Sequence, residues 1–154
     1  TALRLRAEIQ PQLNFNMTYT HKTSIYALYL AAIVLAAIFY LTLEGTDLFG
    51  GSNEARYGVN LACIVVTIAA VIVVVSWEKF GFVARRLQSP DESVARHAGR
   101  VAHFVRTGAF AFALNFNALA YCVASYAENA KYCVLISLVL GILTFPKFDR
   151  HHEI

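Results

Sequence analysis

Four uncharged, apolar stretches constrain this chain more than anything else in it: Thr23–Leu43, Tyr57–Trp77, Thr107–Ala127 and Tyr132–Pro146. A helix rises about 1.5 Å per residue, so about 20 residues cross a hydrocarbon core of roughly 30 Å. The first three stretches reach that length. The fourth lies between Lys131 and Lys147 and reaches it when both lysines snorkel to the headgroups. The expected fold is all-α: an integral membrane four-helix bundle. Of the 154 residues, 58% are hydrophobic and 15% charged, against about 25% charged in a soluble domain. Too little chain lies outside the spans for a second core. The expected organisation is an N-terminal arm over 1–22, a four-span domain over 23–147 and a tail over 148–154.

The first span is expected to be an uncleaved anchor. Its apolar run exceeds a signal-peptide core of about 7–15 residues, and no small-x-small site follows Leu41-Thr42-Leu43-Glu44. The only methionine is Met17, and Met17-Thr18-Tyr19-Thr20-His21-Lys22 reads as a natural start. Residues 1–16 are therefore read either as non-native or as a short cytoplasmic arm.

Lys and Arg mark the cytoplasmic side of short loops. Arg4, Arg6 and Lys22 precede span 1. Lys79, Arg85, Arg86, Arg96, Arg100 and Arg106 lie between spans 2 and 3, and Lys147 and Arg150 follow span 4. Only Arg56 and Lys131 fall on the other side. Both termini and the middle loop are expected in the cytoplasm, and the compact chain with minimal loops suggests a bacterial plasma membrane. The rule that explains this basic loop also removes any reason to expect nucleic acid. Arg85, Arg86, Arg96, Arg100 and Arg106 are instead expected to meet anionic headgroups, at about 1 kcal/mol per basic residue.

Lipid supplies no hydrophobic drive between helices, so small residues carry their close approach. With about 100° between successive residues, Ala109, Ala113, Asn117, Ala120 and Ala124 form one stripe on span 3. Ala111, Asn115, Ala118, Cys122 and Ser125 form a second, nearly opposite. Two small faces imply neighbours on two sides, so span 3 is expected at the centre, with its second face taken by another span or by a partner chain. Phe112, Phe116, Leu119 and Val123 fill one gap between the stripes, with Phe116 and Leu119 expected toward lipid. Phe110, Leu114 and Tyr121 fill the other. Gly58, Ala62, Ala69 and Ser76 make the candidate packing face of span 2. Ser137 and Gly141 make that of span 4, and Ala27, Ala31, Ala32 and Ala36 that of span 1. Ser89-Pro90-Asp91-Glu92 looks like a helix start with Ser89 as cap. Span 3 is thus expected to extend into the cytoplasm as an amphipathic helix, with Val94, Ala98, Val101 and Val105 on one side and Arg96, Arg100 and His103 on another.

Groups that could carry chemistry are few. No Asp or Glu falls inside a span, so proton relays lack their usual residue. Asn60, Asn115 and Asn117 are expected to be interhelical hydrogen-bonding groups. His21 and His103 approach the same cytoplasmic edge, and His151-His152-Glu153 is a weak metal motif. Cys122 and Cys133 stand symmetrically about the 126–131 turn, and so at similar depth, as a candidate thiol or disulfide pair. A four-span bundle with outward thiols resembles, in outline, the quinone-linked disulfide-forming membrane proteins. It lacks their Cys-x-x-Cys, and three cysteines, Cys63 included, do not make two pairs.

The function expected is a non-enzymatic assembly or accessory subunit, with no cofactor and with the bilayer, a second copy or another membrane protein as partner. One alternative is a small oligomeric transporter or channel with a wet path along Asn60, Thr67, Asn115 and Asn117. The other is a thiol or haem redox protein.

Overall fold

The computed structural model describes residues 2–43, 45–46, 48, 51–124 and 128–145, with side chains for those from residue 21 onward except 128. Every element among them is helical. They are α1 (Ala2–Leu43), α2 (Asn53–Ser76), a single 3₁₀ turn (Trp77–Lys79), α3 (Gly81–Leu87), α4 (Glu92–Val123) and α5 (Glu128–Thr144). Two segments are long and apolar enough to cross a membrane: His21–Leu43, with mean hydropathy 2.2, and Asn53–Lys79, with mean hydropathy 2.8. Asn129–Thr144 is apolar but shorter.

The helices begin and end where local chemistry favours it. Ser52 caps α2, its hydroxyl accepting from the Ala55 amide, and Gly51 before it sits at φ 77°, a left-handed conformation that glycine adopts without strain. α1 runs unbroken through residues 2–22, which the sequence reading set apart as an arm. No glycine interrupts 2–43, and Pro11 removes a single helical donor.

The start of α4 differs from expectation. Asp91, not Ser89, is the N-cap: its Oδ1 accepts from the Ser93 amide at 2.9 Å and from the Ser93 hydroxyl at 2.7 Å. Ser89 Oγ accepts from the Asp91 amide and only closes the preceding turn. A carboxylate offers more acceptor capacity to the first amides than a hydroxyl does, and the helix starts one residue after it. Asp91 is correspondingly held below the ordinary carboxylate range by the Ser93 side-chain and backbone bonds.

α4 is the hub. It packs against α1, α2, α3 and α5, whereas α1 meets α4 alone at backbone distance among the described residues. Its first small face sits on α2 and α5. There Ala113 packs with Ala70, Val74 and Leu140, and Ala124 with Cys63, Ala130 and Cys133. On another side Phe110 and Leu114 are buried with Ala32 of α1. Phe112 and Leu119 are exposed, Phe116 half-buried. At the arginine-rich end, α3 lies along α4 with Val83 and Ala98 buried. Val94 and Val101 stay exposed. The last residue of α4 meets the α1–α2 loop, where the Leu48 amide donates to the Val123 carbonyl at 3.2 Å.

Candidate functional site

The most organised polar feature is a node buried where α2, α4 and α5 meet. Asn117 and Ser137 are 0% exposed and Thr67 4%. The Thr67 hydroxyl donates to the Cys63 carbonyl at 2.7 Å, and the Ser137 hydroxyl to the Cys133 carbonyl at 2.8 Å, each one turn back in its own helix. With their hydrogens so used, both oxygens turn lone pairs toward α4. Asn117 Nδ2 donates to Thr67 Oγ1 at 2.8 Å and to Ser137 Oγ at 3.0 Å, with the Cys133 carbonyl at 3.4 Å. Two amide hydrogens thus match two hydroxyl acceptors on two helices. Asn117 Oδ1 is buried without a partner.

Asn115, two residues away and therefore on another side of α4, donates to the Ala32 carbonyl of α1 at 3.2 Å and to its own helix at the Ala111 carbonyl at 2.8 Å. Ala118 and Cys122 are buried on that side, and Ser125 lies outside the described residues. Three of the four groups expected along a wet path do not converge: Thr67 and Asn117 bond each other on one side of α4, and Asn115 bonds α1 on another.

One turn beyond Ser137, Gly141 makes the second close contact of α5. A Cβ there would stand 2.6 Å from Phe110 Cε2. The Phe110 ring stacks on Tyr29 with centroids 5.0 Å apart. Tyr29 in turn donates its hydroxyl to the Gly141 carbonyl at 3.0 Å. Three helices are clamped at this level.

The packing face of α2 is rotated from the one expected. Cys63, Thr67, Ala70 and Val74 point inward, while Gly58 and Ala69 are exposed and Ala62 half-buried. Nothing lies within 4 Å of a Cβ placed on Gly58. The Thr67–Asn117 bond selects this orientation: the only hydroxyl in the middle of the span turns to the only acceptor-seeking amide opposite it.

No family model, curated protein or solved structure matches this chain.

The three cysteines are buried and none is in a disulfide. Cys133 shares its buried cluster with Cys63, and Cys122, expected to pair with it from the symmetry of the turn, is buried outside that cluster. Equal depth is not enough, because Cys133 faces α2 while Cys122 lies on the opposite side of α4. At the other end, Arg106 Nη1 pairs with Glu78 Oε1 at 3.2 Å, joining α4 to the 3₁₀ turn. Of the arginines expected at headgroups, Arg85, Arg86 and Arg96 are exposed, Arg96 pairing with Glu92 along its own helix at 3.5 Å, while Arg100 and Arg106 are half-buried. His103 sits beside this pair. Burial and the Arg106 charge hold its imidazole below the usual range, with Glu78 acting in the opposite direction. His21 lies edge-on to Phe104 with ring centroids 5.0 Å apart. The two histidines are thus neighbours across α1 and α4, and no group of three or more His, Cys, Asp or Glu gathers among the described residues. His151, His152 and Glu153 lie outside them.

Proposed function

We propose that this chain is a four-span protein of the plasma membrane, with cytoplasmic termini, that works as a non-enzymatic assembly or accessory subunit. The observation that carries the membrane reading is an inverted polarity. The buried interior holds Asn117, Ser137 and Thr67 among small residues and a few large apolar ones such as Phe110 and Leu114, while the outward surfaces of α1 from residue 21, α2, α5 and the second half of α4 are largely apolar. Leu41 of α1 is 77% exposed, Phe112 of α4 62% and Ile142 of α5 72%; Val65 and Ile68 of α2 are exposed as well. Soluble monomers rarely leave such continuous apolar surface to water. In lipid the same surface costs nothing, and polar side chains belong between helices.

The assembly role draws on the side of α2 that the described residues leave largely uncovered. Gly58, Ala62, Val65, Ala69, Ile72 and Ser76 recur at four- and three-residue steps, the spacing of a coiled-coil seam. Four of the six, Gly58, Val65, Ala69 and Ile72, are exposed. Alternating small and branched residues at that spacing suit close approach of another membrane helix.

Two measurements test the reading. The protein should stay with membranes through alkaline carbonate, with a reporter after Ile154 cytoplasmic and one at Gly50-Gly51 exterior; release into the supernatant or an exterior C-terminus defeats it. Mild-detergent purification should then give a stoichiometric complex, with itself or another membrane protein, that is lost in Ala69→Trp. A strictly monomeric, partner-free protein would sink the assembly role.

A further inference from the structure

We infer that the seam between α1 and α5 is a binding groove for one hydrocarbon chain of an anionic phospholipid, drawn from the leaflet opposite the arginine-rich face. The inference rests on the membrane reading above. The groove has a volume of about 350 Å³ and is walled by Ile33, Ala36 and Ala37 of α1 and by Val134 and Leu138 of α5, with Leu114 of α4 at its back. Its walls are apolar throughout, and its volume stands at the low end of the roughly 300–1,000 Å³ of small-molecule sites. That suits one chain rather than a two-chain lipid.

The groove exists because the backbones of α1 and α5 do not approach each other. The side chains that join them lie below the groove: Tyr29 stacks on Phe110 and donates to the Gly141 carbonyl at 3.0 Å, and Tyr26 and Tyr29 meet the Phe145 ring just past α5. The mouth is formed by Tyr40, Tyr121 and Lys131. Each of these three stands seven residues from the innermost lining residue of its own helix, Ile33, Leu114 and Leu138. At 1.5 Å per residue the groove is about 10 Å deep, within the roughly 15 Å of one leaflet of the hydrocarbon core. It therefore lies within one leaflet, with its mouth toward the headgroups. Tyrosines belong at that level. Lys131 is exposed there, the only cation lining the groove among the described residues, and supplies the charge complementarity that selects a negative headgroup over a zwitterionic one.

The test uses the full chain purified in maltoside detergent and offered equal phosphatidylglycerol and phosphatidylcholine of matched chains, with retained lipid counted by native mass spectrometry. One lysine at an anionic headgroup is worth about 1 kcal/mol, roughly fivefold in retention. The wild type should therefore hold one phosphatidylglycerol with about that preference. Lys131→Gln should bring the preference to about one while still retaining lipid. Ala37→Phe, at an exposed wall position that leaves the core untouched, should lose both lipids. Equal retention of the two by the wild type, or an undiminished preference in Lys131→Gln, overturns the inference. Undiminished retention in Ala37→Phe places the lipid elsewhere and overturns it too. Carbonate extraction separates the two levels: a protein that stays in membranes yet shows no preference defeats the groove alone, and one released into solution defeats the membrane reading as well.

Discussion

Asn117 of α4 and Thr67 of α2 meet through a 2.8 Å hydrogen bond in the completely buried centre of the protein, 50 residues apart in sequence. The Thr67 hydroxyl is already spent on its own helix, so Asn117 is the group that ties the two helices, and through Ser137 it ties the third.

Replacing Asn117 by Ala should therefore cost more than replacing either partner. It removes the bonds to both neighbouring helices at once and leaves a small void. Interhelical bonds of this kind average about 0.6 kcal/mol and reach about 1.7, so Asn117→Ala should destabilise by about 1–3 kcal/mol. Thr67→Val, which keeps the shape, should cost less than 1 kcal/mol by the same measure. Unfolding in mixed micelles reads both. An Asn117→Ala variant as stable as wild type would mean that the node is incidental to packing.

Gly141 should behave as an obligatory glycine for a steric reason. A methyl group there would stand 2.6 Å from the Phe110 ring, and overpacking of this kind costs about 1–3 kcal/mol. Gly141→Ala alone should destabilise by that amount. Combined with Phe110→Leu, which shortens the side chain, it should recover part of the loss, a coupling visible in a double-mutant cycle. Strict additivity of the two changes would deny the contact.

The residues that organise α4 are readable from sequence because their chemistry contrasts with their surroundings. An asparagine on an alanine stripe, and a serine one turn before a glycine in an otherwise bulky helix, stand out at helical spacing; they are the groups that meet α5. α2 is different. It is apolar on every side, so the spacing of its small residues favoured Gly58, Ala62, Ala69 and Ser76, and only Thr67 carried a clue to the true inward face. The cap of α4 is ambiguous in sequence because Ser89 and Asp91 both satisfy a cap pattern, and the choice depends on which oxygen reaches the Ser93 amide. The stack of Tyr29 on Phe110 joins residues 81 positions apart on different helices, and no periodicity within one helix carries that information. The groove above them follows from the same unseen contact.

His103 gives the protein a pH dependence with a definite sign. Burial and the neighbouring Arg106 charge favour the neutral imidazole, so its folded pKa lies below the unfolded value. The unfolded chain then binds more protons, and stability rises with pH in that window. This contribution is complete above about pH 6.5, the unperturbed histidine value, and is lost as pH falls through the folded pKa. Unfolding midpoints should decline on going from neutral to mildly acidic solution, with a shallower decline in His103→Gln. Arg106→Gln leaves the Glu78 carboxylate beside the ring and should move the imidazole titration upward, which NMR of the histidine resonances follows directly. A titration unmoved by Arg106→Gln would remove that residue from the account.

The cysteines offer the sharpest test of helix rotation. Cys63 and Cys133 belong to one buried cluster with Ala124 and Ala130, and a chain of bonds links their carbonyls: Cys63 to Thr67, Thr67 to Asn117, Asn117 to Cys133. Cys122 lies on the opposite side of α4. All three are buried and none is in a disulfide, so maleimide should label none quickly in the folded protein and three after denaturation, with or without prior reduction. Cross-linking then distinguishes the pairs. Under copper-phenanthroline oxidation, Cys122→Ser, which retains Cys63 and Cys133, should form an internal α2–α5 link. Cys63→Ser, which retains the pair flanking the turn, should form it much more slowly, because a disulfide needs Cα atoms within about 7 Å and side chains that face each other. The link joins residue 63 to residue 133, so a protease cut in the loop between α3 and α4 leaves two fragments joined until reductant is added. Faster linkage in Cys63→Ser would mean that α5 is rotated toward Cys122. The node at Asn117 would then have to be rebuilt, since Ser137 and Cys133 lie on the same side of that helix.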